Sequence, residues 1–250
     1  MEGTTYHISV VYSGGKIKIY RGTQFGTVLG VSAATLSAGY NYIEIKATIH
    51  DSTGAVEVKI NGVTDNNLNL TNVDTRNGGT GVIDTILIAG TGYTDDFYVC
   101  DTSGATNNDF LGDIRVDTIY PDGDGNYTQF TPSTGTAHWS LVDETTPNTT
   151  DYNSGANIGD RDSYTYAALS AITSQTIYGV QINAAALKSD SGSRSLGTMS
   201  RLSGTNKDGS GAALSTSQTY ISEIQETDPA SAAWTESNIN SAEFGVKVTA

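Results

Sequence analysis

The run Asp122-Gly123-Asp124-Gly125-Asn126 sets side-chain oxygens at alternate positions in a glycine-rich stretch. That is the spacing of the first half of a calcium loop, in which a hard cation collects about six to eight oxygens. The second half is missing, because Tyr127-Thr128-Gln129-Phe130 reads as a strand with no Gly-then-Glu completion. A plain Asp-Gly linker turn accounts for the same residues, so Asp122, Asp124 and Asn126 stand as calcium candidates beside that simpler reading. Tyr152, Asn153, Tyr164 and Tyr166 suit a different chemistry, since sugar recognition stacks rings on pyranose faces and hydrogen-bonds the hydroxyls through neighbouring amides. The competing reading is that Tyr164 and Tyr166, alternating with Ser163 and Thr165, share one strand face and pack on a core or a subunit interface.

Acid–base and nucleophilic chemistry have little to draw on. A Ser, Thr or Cys nucleophile needs a base within hydrogen-bond reach, and the histidines are His7, His50 and His138, far apart in sequence. His7 and His50 read as ordinary edge or surface residues, and His138, which precedes Trp139, stands apart from them. Cys100 follows an apolar run and reads as a small buried hydrophobe. Glycoside hydrolysis needs two carboxylates about 5–10 Å apart. Glu44 and Glu57 fall on neighbouring strands, yet each is accompanied by a lysine, Lys46 and Lys59, and cross-strand charge pairing explains them better. No catalytic residues are assigned, and the chain is not expected to be an enzyme.

The elements that must position these residues are strands nearly throughout. In Ile43-Glu44-Ile45-Lys46-Ala47-Thr48-Ile49 and Val56-Glu57-Val58-Lys59-Ile60, apolar and polar residues alternate, which puts one face on a core and the other in water. Asn61-Gly62 supplies the pair that tight hairpins favour. Similar patterns predict strands at Tyr6 to Tyr12, Lys16 to Tyr20, Gly26 to Val31, Val82 to Ala89, Asp96 to Cys100 and Asp113 to Ile119. Beyond the turn-rich stretch at Tyr120 to Asn126, strands are predicted at Tyr127 to Phe130, Ser163 to Leu169, Thr176 to Ala184, Arg194 to Leu202, Gln218 to Ile224 and Phe244 to Val248. Helical periodicity is confined to Ala230 to Thr235 and Glu236 to Ala242, with Thr235 placed to cap the second. The fold class expected is all-β, two jelly-roll-like β-sandwiches in tandem, residues 1–120 and 121–250.

The 250 residues carry 13 Lys and Arg against 27 Asp and Glu, a formal net charge of −14 spread along the chain. That field opposes sequence-tolerant nucleic-acid binding, which draws its affinity from neutralising phosphates. The single cysteine excludes an internal disulfide. The first residues, MEGTTYHISVVYSGG, lack a basic segment followed by an apolar core, and no stretch approaches ~20 apolar residues. Neither secretion by the general route nor membrane insertion is expected.

From about Gly39 to Val99 the order of features resembles the laminin-G or concanavalin-like jelly roll, carried by Tyr42-Ile43-Glu44-Ile45, by Val56-Glu57-Val58-Lys59-Ile60-Asn61-Gly62 and by Asp95-Asp96-Phe97-Tyr98-Val99. Roughly two thirds of the chain also resembles a group of uncharacterised tailed-phage structural proteins. The matching stretches are Asn108-Asp109-Phe110-Leu111-Gly112-Asp113-Ile114-Arg115-Val116, then Trp139-Ser140-Leu141-Val142-Asp143-Glu144, and Glu226-Thr227-Asp228-Pro229 through Trp234-Thr235 to Phe244-Gly245-Val246. Relatives in that group carry further strands ahead of the one near Tyr6. The first sandwich is therefore expected to be an abbreviated version, or one that a neighbouring chain completes by strand addition.

The resemblance implies a structural component of the virion exterior, as head decoration, head fibre or tail surface. Such a protein folds in the host cytoplasm, forms a homo-oligomer, contacts other virion proteins and can be adhesive. The alternative it implies is a carbohydrate-binding module for a host surface glycan, assisted by calcium, with Asp95 and Asp96 added to the metal candidates by analogy with calcium-binding laminin-G domains. A turn that caps the strand start is the simpler account of those two aspartates.

Overall fold

A computed structural model describes residues 1–90, 92–169 and 175–250. The fold is all-β, with one short α-helix and one 3₁₀ turn among the described residues, and it divides into two compact units, Met1–Val116 and Asp117–Ala250.

The first unit holds two antiparallel three-stranded meanders. One comprises β1 (Ile8–Ser13), β2 (Lys16–Arg21) and β3 (Thr27–Val31), and the other β4 (Ile43–Thr48), β5 (Gly54–Ile60) and β6 (Val63–Val73). The hairpins follow from local chemistry. Gly14 and Gly15 both take positive φ between β1 and β2, as do Asn61 and Gly62 between β5 and β6, which is what a two-residue turn matching strand twist requires. In β5 the period-two pattern is fully expressed, with Gly54, Val56, Val58 and Ile60 buried and the residues between them half-buried. Ile17 and Ile19 of β2 meet Val56, Val58, Ile60 and Leu68 in one core drawn from both sheets. Each fully buried Val or Ile there contributes on the order of 1.5–3 kcal/mol relative to exposure.

The strands expected at Val82 to Ala89, Asp96 to Cys100 and Asp113 to Ile119 do not form, and those residues lie outside any strand. A β-type sequence becomes a strand only when another strand satisfies its backbone. Between Val82 and Ala89 the backbone partners among the described residues are given by Met1, to Asp84 and Thr85.

The second unit is built on a six-stranded antiparallel sheet. Its path is β13 (Thr205–Asp208), β12 (Ser195–Leu202), β16 (Glu243–Val248), β10 (Arg161–Tyr166) and β7 (Pro121–Thr128), with β14 (Ala212–Ala213) also paired to β12. A two-stranded ribbon, β11 (Val180–Ala186) with β15 (Thr219–Gln225), lays Ile182, Ala184, Ala186 and Ile221 against the sheet residues Leu196, Phe244 and Val248. A small pair, β8 (Thr131–Pro132) and β9 (Asn153–Ser154), stands apart. The helix α1 (Glu236–Ser241) is capped at Thr235, whose hydroxyl accepts from the Asn238 N–H at 3.1 Å, as its sequence predicts. Ala230 to Thr235 is irregular instead of helical, because Asp228 holds the backbone N–H groups of Ala230 and Ala232 in a turn, at 2.9 Å each.

The turn expected at Asp122 to Asn126 is a strand. Gly123 and Gly125 are spacers: a Cβ on Gly125 would stand 2.6 Å from the Ser163 carbonyl and 2.7 Å from the Glu243 carboxylate. The glycines let β7 lie close against β10, and the alternate Asp122, Asp124 and Asn126 side chains face outward.

Candidate functional site

Three elements of the second unit converge on a buried polar group. Asp162 and Tyr164 come from β10, Asn153 from β9, and His138 from the residue before a short 3₁₀ turn, Trp139–Leu141. Asp124 fixes that turn by accepting from the Trp139 N–H at 2.8 Å. His138 Nδ1 lies 2.9 Å from both Asp162 oxygens and donates to them; the Tyr164 hydroxyl donates to Asp162 Oδ2 at 2.8 Å. Asn153 Nδ2 donates to the His138 carbonyl at 2.8 Å. Burial pushes the Asp162 carboxyl up, against the hydrogen bonds from His138 and Tyr164 that favour its ionised form. The Tyr164 hydroxyl is likewise raised by burial and by the adjacent carboxylate. An imidazole oriented by a carboxylate is half of a nucleophilic triad. Among the described residues no side-chain hydroxyl or thiol is hydrogen-bonded to His138 Nε2 to supply the other half.

This group draws in two of the four residues read as a sugar platform. Tyr164 is 5% exposed, and Tyr166 packs edge-on against Phe244 with ring centroids 5.5 Å apart. Both rings are committed to the interior, the packing alternative for that strand face. Of the four, Tyr152 has its ring exposed, and Asn153 spends its amide donors on the His138 carbonyl and the Tyr164 hydroxyl.

The candidate calcium ligands do not converge. Asp122, Asp124 and Asn126 alternate along β7, where successive same-face side chains stand roughly 7 Å apart, whereas a calcium ion draws its oxygens to about 2.4 Å. Asp122 accepts from Thr165 Oγ1 at 3.0 Å, and Asp124 is occupied by Trp139. In the first unit, Asp95 accepts from the Asp96 N–H at 2.9 Å, while Asp96, at positive φ, accepts from the Val116 N–H at 2.8 Å and pairs with Arg115. Among the described residues no group of three or more His, Cys, Asp or Glu side chains is arranged to hold a metal ion.

Also in the first unit, Glu44 stands opposite Lys59 and Glu57 opposite Lys46 across β4 and β5, but the cross-strand charge pairs expected of them do not form: Glu57 accepts from the Thr64 hydroxyl at 3.2 Å, and the lysines turn to other partners. The surprise is that Glu44 is buried. Its Oε1 accepts from the Tyr98 hydroxyl at 2.6 Å and the Gly112 N–H at 2.9 Å. Over the same face Phe110 receives the Lys59 ammonium 4.2 Å from its ring centroid, and Asp109 pairs with Lys46 at 3.0 Å. His7 is fully buried, accepting from the Asn77 N–H through Nδ1 and therefore donating through Nε2 to Glu2 at 3.2 Å. His50 is equally structural, its Nδ1 accepting from the N–H groups of Ser52 and Thr53.

This unit also exposes a run of large apolar side chains. Val82, Ile83, Ile86, Leu87 and Ile88 are each between 45% and 59% exposed, followed by Phe97 and Val99 at similar levels. Comparisons with protein-family models, curated proteins and solved structures found no match. Among the described residues no helix is long and apolar enough to cross a membrane.

Sequence patterning led to the tyrosines and the carboxylate pairs but missed two networks, Glu44 with Tyr98 and His138 with Asp162. Both join residues 24 or more positions apart, and nothing local distinguishes Glu44 from its solvent-facing neighbours.

Proposed function

We propose that this chain is a structural subunit of the exterior of a tailed-phage virion, assembled with copies of itself and docked on other virion proteins. The observation that carries the reading is the exposed apolar run Val82 to Ala89, which pairs with no strand among the described residues. Its residues alternate Val82, Asp84, Ile86, Ile88 with Ile83, Thr85, Leu87, Ala89, apolar on both faces, which is the pattern of a strand buried on both sides. Left exposed, such a run is an edge that invites pairing. A second copy of this chain suits it better than a charged partner. Asp84 is its one ionisable residue, so copies meet less like charge here than elsewhere on a chain of net charge −14. The resemblance of Asn108 to Val116 and Glu226 to Val246 to phage structural proteins supplies the setting.

Quantitative mass spectrometry of purified particles of the phage that encodes the chain tests this directly. The chain is expected at many copies per particle and retained through a density gradient. Its absence from particles, with abundant chain in the infected-cell lysate, overturns the assignment.

A further inference from the structure

The β11–β15 ribbon of the second unit has an outer face whose chemistry differs from the rest of this acidic chain. Register sets Gln181 opposite Ile224, Asn183 opposite Ser222, and Ala185 opposite Tyr220, and these six side chains form that face. None of them is a carboxylate, an ammonium or a guanidinium. Because Ala185 is small, nothing covers the Tyr220 ring from across the pair, and it is 71% exposed.

The amides between Tyr220 and Ile224 are fixed in orientation. Asn183 Oδ1 accepts from Gln181 Nε2 at 2.9 Å and from Ser222 Oγ at 2.7 Å, which fills both of its lone pairs. Asn183 Nδ2 is thereby turned outward as a donor and Gln181 Oε1 as an acceptor, and neither has a partner among the described residues. The ribbon beneath is pinned to β12: Glu223 accepts from Thr198 Oγ1 at 2.7 Å, and Gln225 accepts from Ser200 Oγ at 2.6 Å. Trp234 Nε1 donates to the Gln225 carbonyl at 2.8 Å. The face is a rigid one, as a recognition surface requires.

We infer that this face binds uncharged saccharides, with Tyr220 as the stacking ring and Asn183 and Gln181 as the paired donor and acceptor for sugar hydroxyls. An exposed aromatic ring suits the apolar C–H face of a pyranose, and an outward amide donor beside an outward amide acceptor suits vicinal hydroxyls. Tyr220 and Ile224 are four residues apart on one strand, roughly 13 Å, long enough for two or three sugar units. The face lacks the cation that a sialylated or phosphorylated glycan would need. The inference rests on the second unit alone and stands or falls independently of the assembly proposed through Val82 to Ala89.

The test is binding of the full chain to an array of immobilised neutral oligosaccharides built from hexoses and N-acetylhexosamines, alongside Tyr220→Ala, Asn183→Ala and Tyr220→Phe. The wild type and Tyr220→Phe are expected to retain the same subset of sugars, and Tyr220→Ala to bind them weaker by on the order of tenfold or more with its thermal unfolding unchanged. An array on which the wild type binds nothing overturns the inference, as does a subset that Tyr220→Ala binds equally well. A fall in solution mass caused by Tyr220→Ala also overturns it, since the face is then covered by a second copy.

Discussion

Tyr98 donates its hydroxyl hydrogen to Glu44 Oε1 across 2.6 Å, and the same hydroxyl accepts from the Leu111 N–H at 3.2 Å. One phenol therefore ties an irregular segment both to a strand of the sheet and to the loop that covers it. Burial and the neighbouring carboxylate together hold that hydroxyl in its protonated, donating form.

Tyr98→Phe keeps the ring and removes both bonds, leaving a buried carboxylate short of a donor. It is expected to destabilise the first unit by about 1–3 kcal/mol, read as a lower denaturant midpoint at unchanged slope.

Asp65 of β6 makes the corresponding clamp on the loop after β3. It is 6% exposed, and burial opposes its charge, yet the N–H groups of Ala34, Ala33, Asn67 and Leu68 hold its carboxyl below the ordinary value. A carboxylate so depressed adds stability above its unfolded value, near 3.9, that is lost as pH falls through the folded one. Asp208, held down by Arg161 and Lys247 against burial, acts in the same direction. Asp162 runs the other way, because burial raises it and protonation on acidification relieves that cost. Thermal melts between pH 6 and pH 2 should show stability falling below about pH 4, and Asp65→Asn should be destabilised at pH 6 while losing less than the wild type over that range.

Gly125→Ala tests the spacer role of the β7 glycines. The added methyl meets the Ser163 carbonyl at 2.6 Å, and backbone cannot swing aside as a side chain can. The expected cost is about 1–3 kcal/mol, seen as a lower unfolding midpoint. A substitution without effect would return Asp122 to Asn126 to the turn reading.

Those same glycines mark where sequence reading stops. Gly14-Gly15 between β1 and β2 and Asn61-Gly62 between β5 and β6 are legible because the turn is made by the residues themselves, through their positive φ. Gly123 and Gly125 carry the same letters for another reason, the closeness of β10, which no local pattern reveals. Likewise β5 announces its buried face by alternation, while Val82 to Ala89, apolar on both faces, reads as a strand from sequence but pairs with no strand among the described residues. Sequence spacing points to Tyr152, Asn153, Tyr164 and Tyr166 as a sugar platform, and two of those rings turn inward; register, which places Tyr220 opposite Ala185, has no signature in composition.

Light scattering of the purified full chain, beside the double variant Ile86→Asp with Ile88→Asp, measures the proposed self-assembly most directly. The wild type is expected at a defined multiple of the chain mass and the variant at the mass of one chain, with near-native circular dichroism and an unfolding transition retained. A wild type that runs as a single chain at micromolar concentration, or a variant that keeps the multimer mass, contradicts assembly through this segment.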